Sequence, residues 1–199
     1  SGRVLVAFER NQRIGTFLIR KGVLGEPISY LRPPMRLPAN KGLESVAVLL
    51  GGRYKGAVIA FAERAKDGKG HHRGWLWRRG RPSPLSLTDD GGFDITDLAS
   101  LPNGALIVLE RRFRWSEGVQ FRLRLVPAKR VLVGSVLSGI TLVKADMRYD
   151  IDNMEGLALH RGPQGQTVIT LISDDNFNRF LQKTILLQFV LPPEVLAAK

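Results

Sequence analysis

Two glutamates hold the same place in two similar stretches of this chain. Glu44 is third in GLESVAVL, which starts at Gly42, and Glu155 is third in NMEGLALH, which starts at Asn153. A third stretch, DITDLASL, puts Thr96 there, with Asp94 and Asp97 beside it. If these stretches are the central strands of successive sheets, their repeated carboxylates converge near one axis. Carboxylates from several sheets can hold a hard cation such as Ca²⁺, which takes about six to eight oxygen ligands. Glu44 and Glu155 are therefore the candidate catalytic and metal-ligating pair. The competing role is structural, with each carboxylate bonding backbone amides of a neighbouring sheet.

Asp174-Asp175-Asn176 is the second group of oxygen donors. Asp174 and Asp175 are candidate metal ligands, although the same residue types are common turn formers. Arg10 and Lys41 are candidate substrate-binding residues, because Arg offers phosphate a bidentate fork and Lys a point charge. Acid–Arg pairs recur at Glu9-Arg10, Glu63-Arg64 and Glu110-Arg111, and these suit ion pairs between sheets. His71-His72 lies in a polar loop, and His160 has no partner motif. Trp75 and Trp77 share a strand face suited to packing between sheets. Arg122 and Arg124 alternate with apolar residues and are expected on a solvated face.

What must position these residues is a series of strands. Residues 3–10, 13–19, 42–50, 57–63, 74–78, 105–113, 119–126, 154–160, 167–172 and 184–190 are apolar or alternating runs punctuated by Gly, Pro, Asn and Asp, the pattern of antiparallel meanders. Residues 92–101 restart the pattern, and residues 84–87 are a short strand. Residues 20–40 hold four prolines and read as an irregular connection, and residues 129–150 as a connection to the final unit. The second strands VLVAFER, AVIAFAE, ALIVLER and TVITLISD align, with Glu9, Glu63, Glu110 and Asp174 as matching acids. They place Val6, Ile59, Ile107 and Ile169, and Phe8, Phe61, Leu109 and Leu171, between adjacent sheets.

A repeat of about 50 residues with three or four strands is the signature of β-propeller blades. The expected fold class is all-β, a β-propeller in one domain, with a partial blade at 1–40 and blades at 41–90, 91–145 and 146–199. The first copy begins on its second strand. The 199 residues therefore read as the C-terminal portion of a larger propeller, whose preceding segment or another copy would cover the edges at residues 4–8 and 184–190.

Composition narrows the partners. The chain is 44% hydrophobic and 24% charged, ordinary for a folded domain. No run of eighteen apolar residues is present, so no membrane span is expected. Cys is absent, which excludes disulfides and thiolate metal sites. A net charge of +12 favours anionic partners or serves solubility. There is no P-loop, G-x-S-x-G elbow or Rossmann glycine pattern, and no basic helix, so no nucleic acid is expected as partner.

NKGLESVAVL (40–49), FDITDLASLPNGALIVLERRF (93–113) and the stretch from YDIDNMEGLALH to LLQFVLP (149–192) resemble the bacterial family named for esterase-like activity of phytase. VLVAFERNQRI (4–14) is similar too. The resemblance implies a propeller exported to the periplasm or beyond, its signal removed upstream of Ser1. It also implies distant kinship with calcium-dependent phosphoric ester hydrolases. An ion held by Glu44 and Glu155 would grip the phosphate oxygens and activate a bound water. The alternative is a non-catalytic propeller that binds an anionic ligand or a protein partner.

Overall fold

The computed structural model describes residues 2–8, 11–37, 42–178, 180 and 182–197. Its strands form four sheets. The first holds β1 (Gly2–Phe8), β2 (Arg13–Arg20) and β3 (Val23–Leu31). The second holds β4 (Leu43–Val48), β5 (Val58–Lys66), β6 (His72–Arg78) and β7 (Arg81–Leu87). The third holds β8 (Asp94–Ser100), β9 (Leu106–Arg114) and β10 (Gly118–Val126). A short parallel piece, β11 (Val136–Leu137), returns to the edge of β7, and β12 (Ile140–Asp146) then completes the third sheet beside β10. The fourth sheet holds β13 (Met154–Arg161), β14 (Thr167–Ser173) and β15 (Leu186–Leu191), and a short helix, α1 (Pro193–Ala197), follows.

Apart from the β11–β7 pair, the neighbours within each sheet are antiparallel, as the alternating runs require. The sheets stack in chain order. β4 packs on β8 and β8 on β13, so the first strands of successive sheets adjoin. β1 meets β4 as β5 meets β8 and β9 meets β13, which gives β1 the place of a second strand. Three apolar layers fill the gaps. Ile14, Leu43, Ala60, Trp75 and Trp77 lie between the first and second sheets. Ile59, Phe61, Leu76, Ile95 and Val108 lie between the second and third. Ile107, Leu109, Phe121, Met154 and Leu171 lie between the third and fourth.

Several expectations change. The proline-rich stretch contains β3, because Pro27 sits on the outermost strand of its sheet, where a missing N–H costs no ladder bond. The stretch read as a connection supplies β11 and β12. In the aligned second strands the register slips by one in the last copy. Ile59, Phe61, Ile107 and Leu109 face the following sheet, whereas Ile169 and Leu171 face the preceding one. In the first copy Leu5 and Ala7 face the second sheet, while Val6 and Phe8 are half-buried on the other side. Arg122 and Arg124 are buried, because their face of β10 is covered by residues 88–93.

Candidate functional site

The first strands of the second, third and fourth sheets carry the same irregularity. Each has a β-bulge close to its start, between Leu43 and Ser45, Ile95 and Asp97, and Met154 and Gly156. The extra residues are Glu44, Thr96 and Glu155, the three that the repeat pairs by sequence. A bulge breaks the period of two and re-aims its side chain. Here it turns all three into one recess of about 330 Å³, completed by Ala7 of β1, Leu43 of β4 and Arg111 of β9.

Ion pairs knit this recess together across sheets. The Arg111 guanidinium lies between two of them: its Nε is 3.4 Å from Glu155 Oε1, and one terminal nitrogen is 3.5 Å from Glu63 Oε1. Glu63 also pairs with Arg64 at 3.3 Å, and Arg64 Nε donates to Asp94 Oδ2 at 2.9 Å. The Glu44 side chain adjoins that of Glu63. Burial raises the Glu63 carboxyl above its ordinary range, against the pull of Arg64 and Arg111. Asn153 Nδ2 donates to Glu155 Oε1 at 2.6 Å and fixes that side chain from its own strand. Thr96 Oγ1 donates to the Met154 carbonyl at 3.3 Å, a link between the third and fourth sheets.

Asp97 makes the other link. Its carboxylate accepts the Leu157 N–H at 2.8 Å and the Leu98 N–H at 2.7 Å. Burial outweighs these bonds and pushes the Asp97 carboxyl up to about 6.

Arg10 and Lys41 are outside the described residues, as is Glu9. Asp174 and Asp175 stand in the turn after β14, where they accept the Asn176 and Phe177 N–H groups at 2.9 and 3.0 Å. Neither lines the recess. Among the described residues, no three or more His, Asp and Glu side chains converge as a metal-binding group. His72 is not in a loop but buried in β6, beside the Glu63 carbonyl at 3.1 Å. Burial and the adjacent Lys66 push it down to about 4. Trp75 and Trp77 pack between the first two sheets, as expected.

Sequence reasoning treated Arg111 only as an ion-pair former. The acid–Arg pairs were the signal, but their alignment was one residue out. The bulge partners show that Glu63, Arg111 and Asp174 are equivalent, each following the residue opposite the one before the bulge, while Glu110 falls one place earlier, opposite Ile95. Arg111 therefore lies where the neighbouring sheets carry acids. Glu110 instead points to the other face, where Arg122 Nε and a terminal nitrogen of Arg124 reach it at 2.7 and 2.5 Å.

Fold and recess together define an all-β protein of consecutive antiparallel sheets, with a charged site where the strand-start bulges meet. The family model for esterase-like activity of phytase, the Phytase-like family, matches residues 1–177, and the chain belongs to that family. A search of the curated proteins found no match, and neither did a search of the solved structures. Among the described residues no helix is long and apolar enough to cross a membrane.

Proposed function

We propose that the four sheets are consecutive blades of a β-propeller and that the recess at Arg111 hydrolyses a phosphoric ester. The observation that carries this reading is the gathering of Arg111, Glu155 and Glu44 in one recess, with Glu63 paired to Arg111. Phosphoryl transfer needs positive charge on the non-bridging oxygens and a proton for the leaving oxygen. Arg111 supplies the first. A proton on the Glu63 carboxyl, which burial favours, passes to the ester oxygen as the P–O bond breaks, and Glu155 takes a proton from the attacking water. Membership of the Phytase-like family supports the reaction class.

The family resemblance implies Ca²⁺, yet a guanidinium between carboxylates does not make a cage of about six to eight oxygens. Export to the periplasm or beyond belongs to the same reading.

The test is hydrolysis of p-nitrophenyl phosphate by the full chain, with and without added Ca²⁺. Turnover is expected, and Arg111→Gln should lower kcat/KM by about a hundredfold, with Glu44→Gln and Glu155→Gln also impaired. The net charge of +12 favours the second reading, a propeller that only binds an anionic ligand. Retention of inorganic phosphate with no turnover, with or without Ca²⁺, would select it.

A further inference from the structure

A second recess lies at the opposite end of the same inner strands. It measures about 430 Å³ and forms beside the ends of β8 and β13, over Leu101 and Leu159, with Leu50 and Pro102 on its rim and Arg161 and His160 at its edge. We propose that it binds an apolar anion, an aliphatic carboxylate whose chain lies on the leucines and whose head meets Arg161. The proposal does not rest on the phosphoric ester reading.

The floor is fixed by the core. Leu101 is fully buried and Leu159 packs against the layer between the third and fourth sheets. Residues two apart on a strand share a face, so Leu157, Leu159 and Arg161 all project toward the third sheet, and Arg161 overhangs the apolar floor. Leu50, by contrast, is 52% exposed, an apolar side chain left uncovered at the rim.

The walls are held before any ligand arrives. The Leu50 N–H donates to Ser100 Oγ at 3.0 Å, and Ser100 Oγ donates to the Leu101 carbonyl at 3.1 Å. Gly51 lies against the 102–104 turn so closely that a Cβ there would come 2.1 Å from the Pro102 oxygen. Gly104 takes a φ of +89°, which closes that turn through its N–H to the Leu101 carbonyl at 2.9 Å. On the other lip, the Gly162 N–H reaches the Gln166 carbonyl at 2.8 Å and the Gly165 N–H the Gly162 carbonyl at 2.9 Å. A preformed apolar hollow with few polar groups is the usual form of a small-molecule site, and its rigidity lowers the ordering cost of binding.

Charge selects the sign of the ligand. The lining holds a guanidinium and no carboxylate. Among the described residues no acid pairs with Arg161. An anionic head therefore gains a charge-assisted bond with no partner displaced, whereas a cationic head meets only repulsion.

Decanoate is the probe, titrated calorimetrically into the full chain below its micellar concentration. One saturable site is expected, with decyltrimethylammonium failing to compete. Arg161→Gln should weaken decanoate about tenfold or more, the loss of one charged hydrogen bond, and leave decanol unchanged. Because Leu50 and Arg161 are exposed, Leu50→Asp is a second variant that folds while placing an acid on the rim; it too should weaken decanoate. Glu155→Gln, in the other recess, should not. Absence of saturable binding, equal binding of the cationic amphiphile, or full affinity in Arg161→Gln would each overturn the proposal.

Discussion

At the scale of single residues, the molecule's charges fall into two groups, and burial decides what each does. Glu110 is fully buried between Arg122 and Arg124, and Arg124 is further held by the Thr88 carbonyl at 2.8 Å and Asp90 Oδ2 at 2.9 Å. Removing the shared carboxylate leaves two buried guanidinium groups short of a counter-charge. Glu110→Gln is expected to cost about 3–5 kcal/mol in urea denaturation, and a loss below about 1 kcal/mol would mean that the arginines find other partners. Asp97 behaves differently. Its carboxyl is raised from 3.8 to about 6, so the folded state binds the proton more tightly than the unfolded chain does. Between those two pH values folding takes up protons, and stability falls as pH rises through the window. Asp97→Asn should remove this decline, so that plots of stability against pH for variant and wild type diverge from about pH 4 to about pH 6 and run parallel above.

At the scale of elements, the bulge is the device that matters. A regular strand would send Glu44 and Glu155 alternately to one face or the other of their sheets. The extra residue turns them to the rim instead, and the same device in β8 places Thr96 beside them. Packing between sheets then fixes the distance from one rim to the next. Phe61 is central to this, buried between the second and third sheets over Gly74, where a Cβ would come within 2.5 Å of its ring. Phe61→Ala should cost about 3–5 kcal/mol, read as a lower urea midpoint with an unchanged slope. A near-neutral result would show that the neighbouring layers collapse into the space.

For the whole molecule, the stacking of sheets leaves the outer face of the fourth sheet uncovered among the described residues. On the fourth sheet Ile172, Leu186 and Val190 point away from the third sheet, and Leu186 is 61% exposed. Apolar strand faces of this kind associate. We expect the 199-residue chain to self-associate in light scattering, and the triple change Ile172→Thr, Leu186→Lys, Val190→Thr to yield monomers with the far-ultraviolet spectrum retained. A monodisperse wild-type monomer would contradict this.

The strands, the sheet count and the equivalence of Glu44, Thr96 and Glu155 were legible in the sequence, because alternation, turn residues and repeats are local signals. So was the burial of Trp75 and Trp77. The hidden strands β3 and β12 were not, since prolines on an outer strand look like a loop, and KADMRY at the end of β12 lacks a clear alternation. The fate of charged side chains was not local at all. Arg122 and Arg124 alternate with apolar neighbours just as solvated residues do, and only the cover provided by residues 88–93 with Glu110 buries them. Arg111 likewise became part of the candidate site through distance alone. Its own strand says nothing about Glu63 on one neighbouring sheet or Glu155 on the other, and the packing that joins them is set by side chains far apart in the chain.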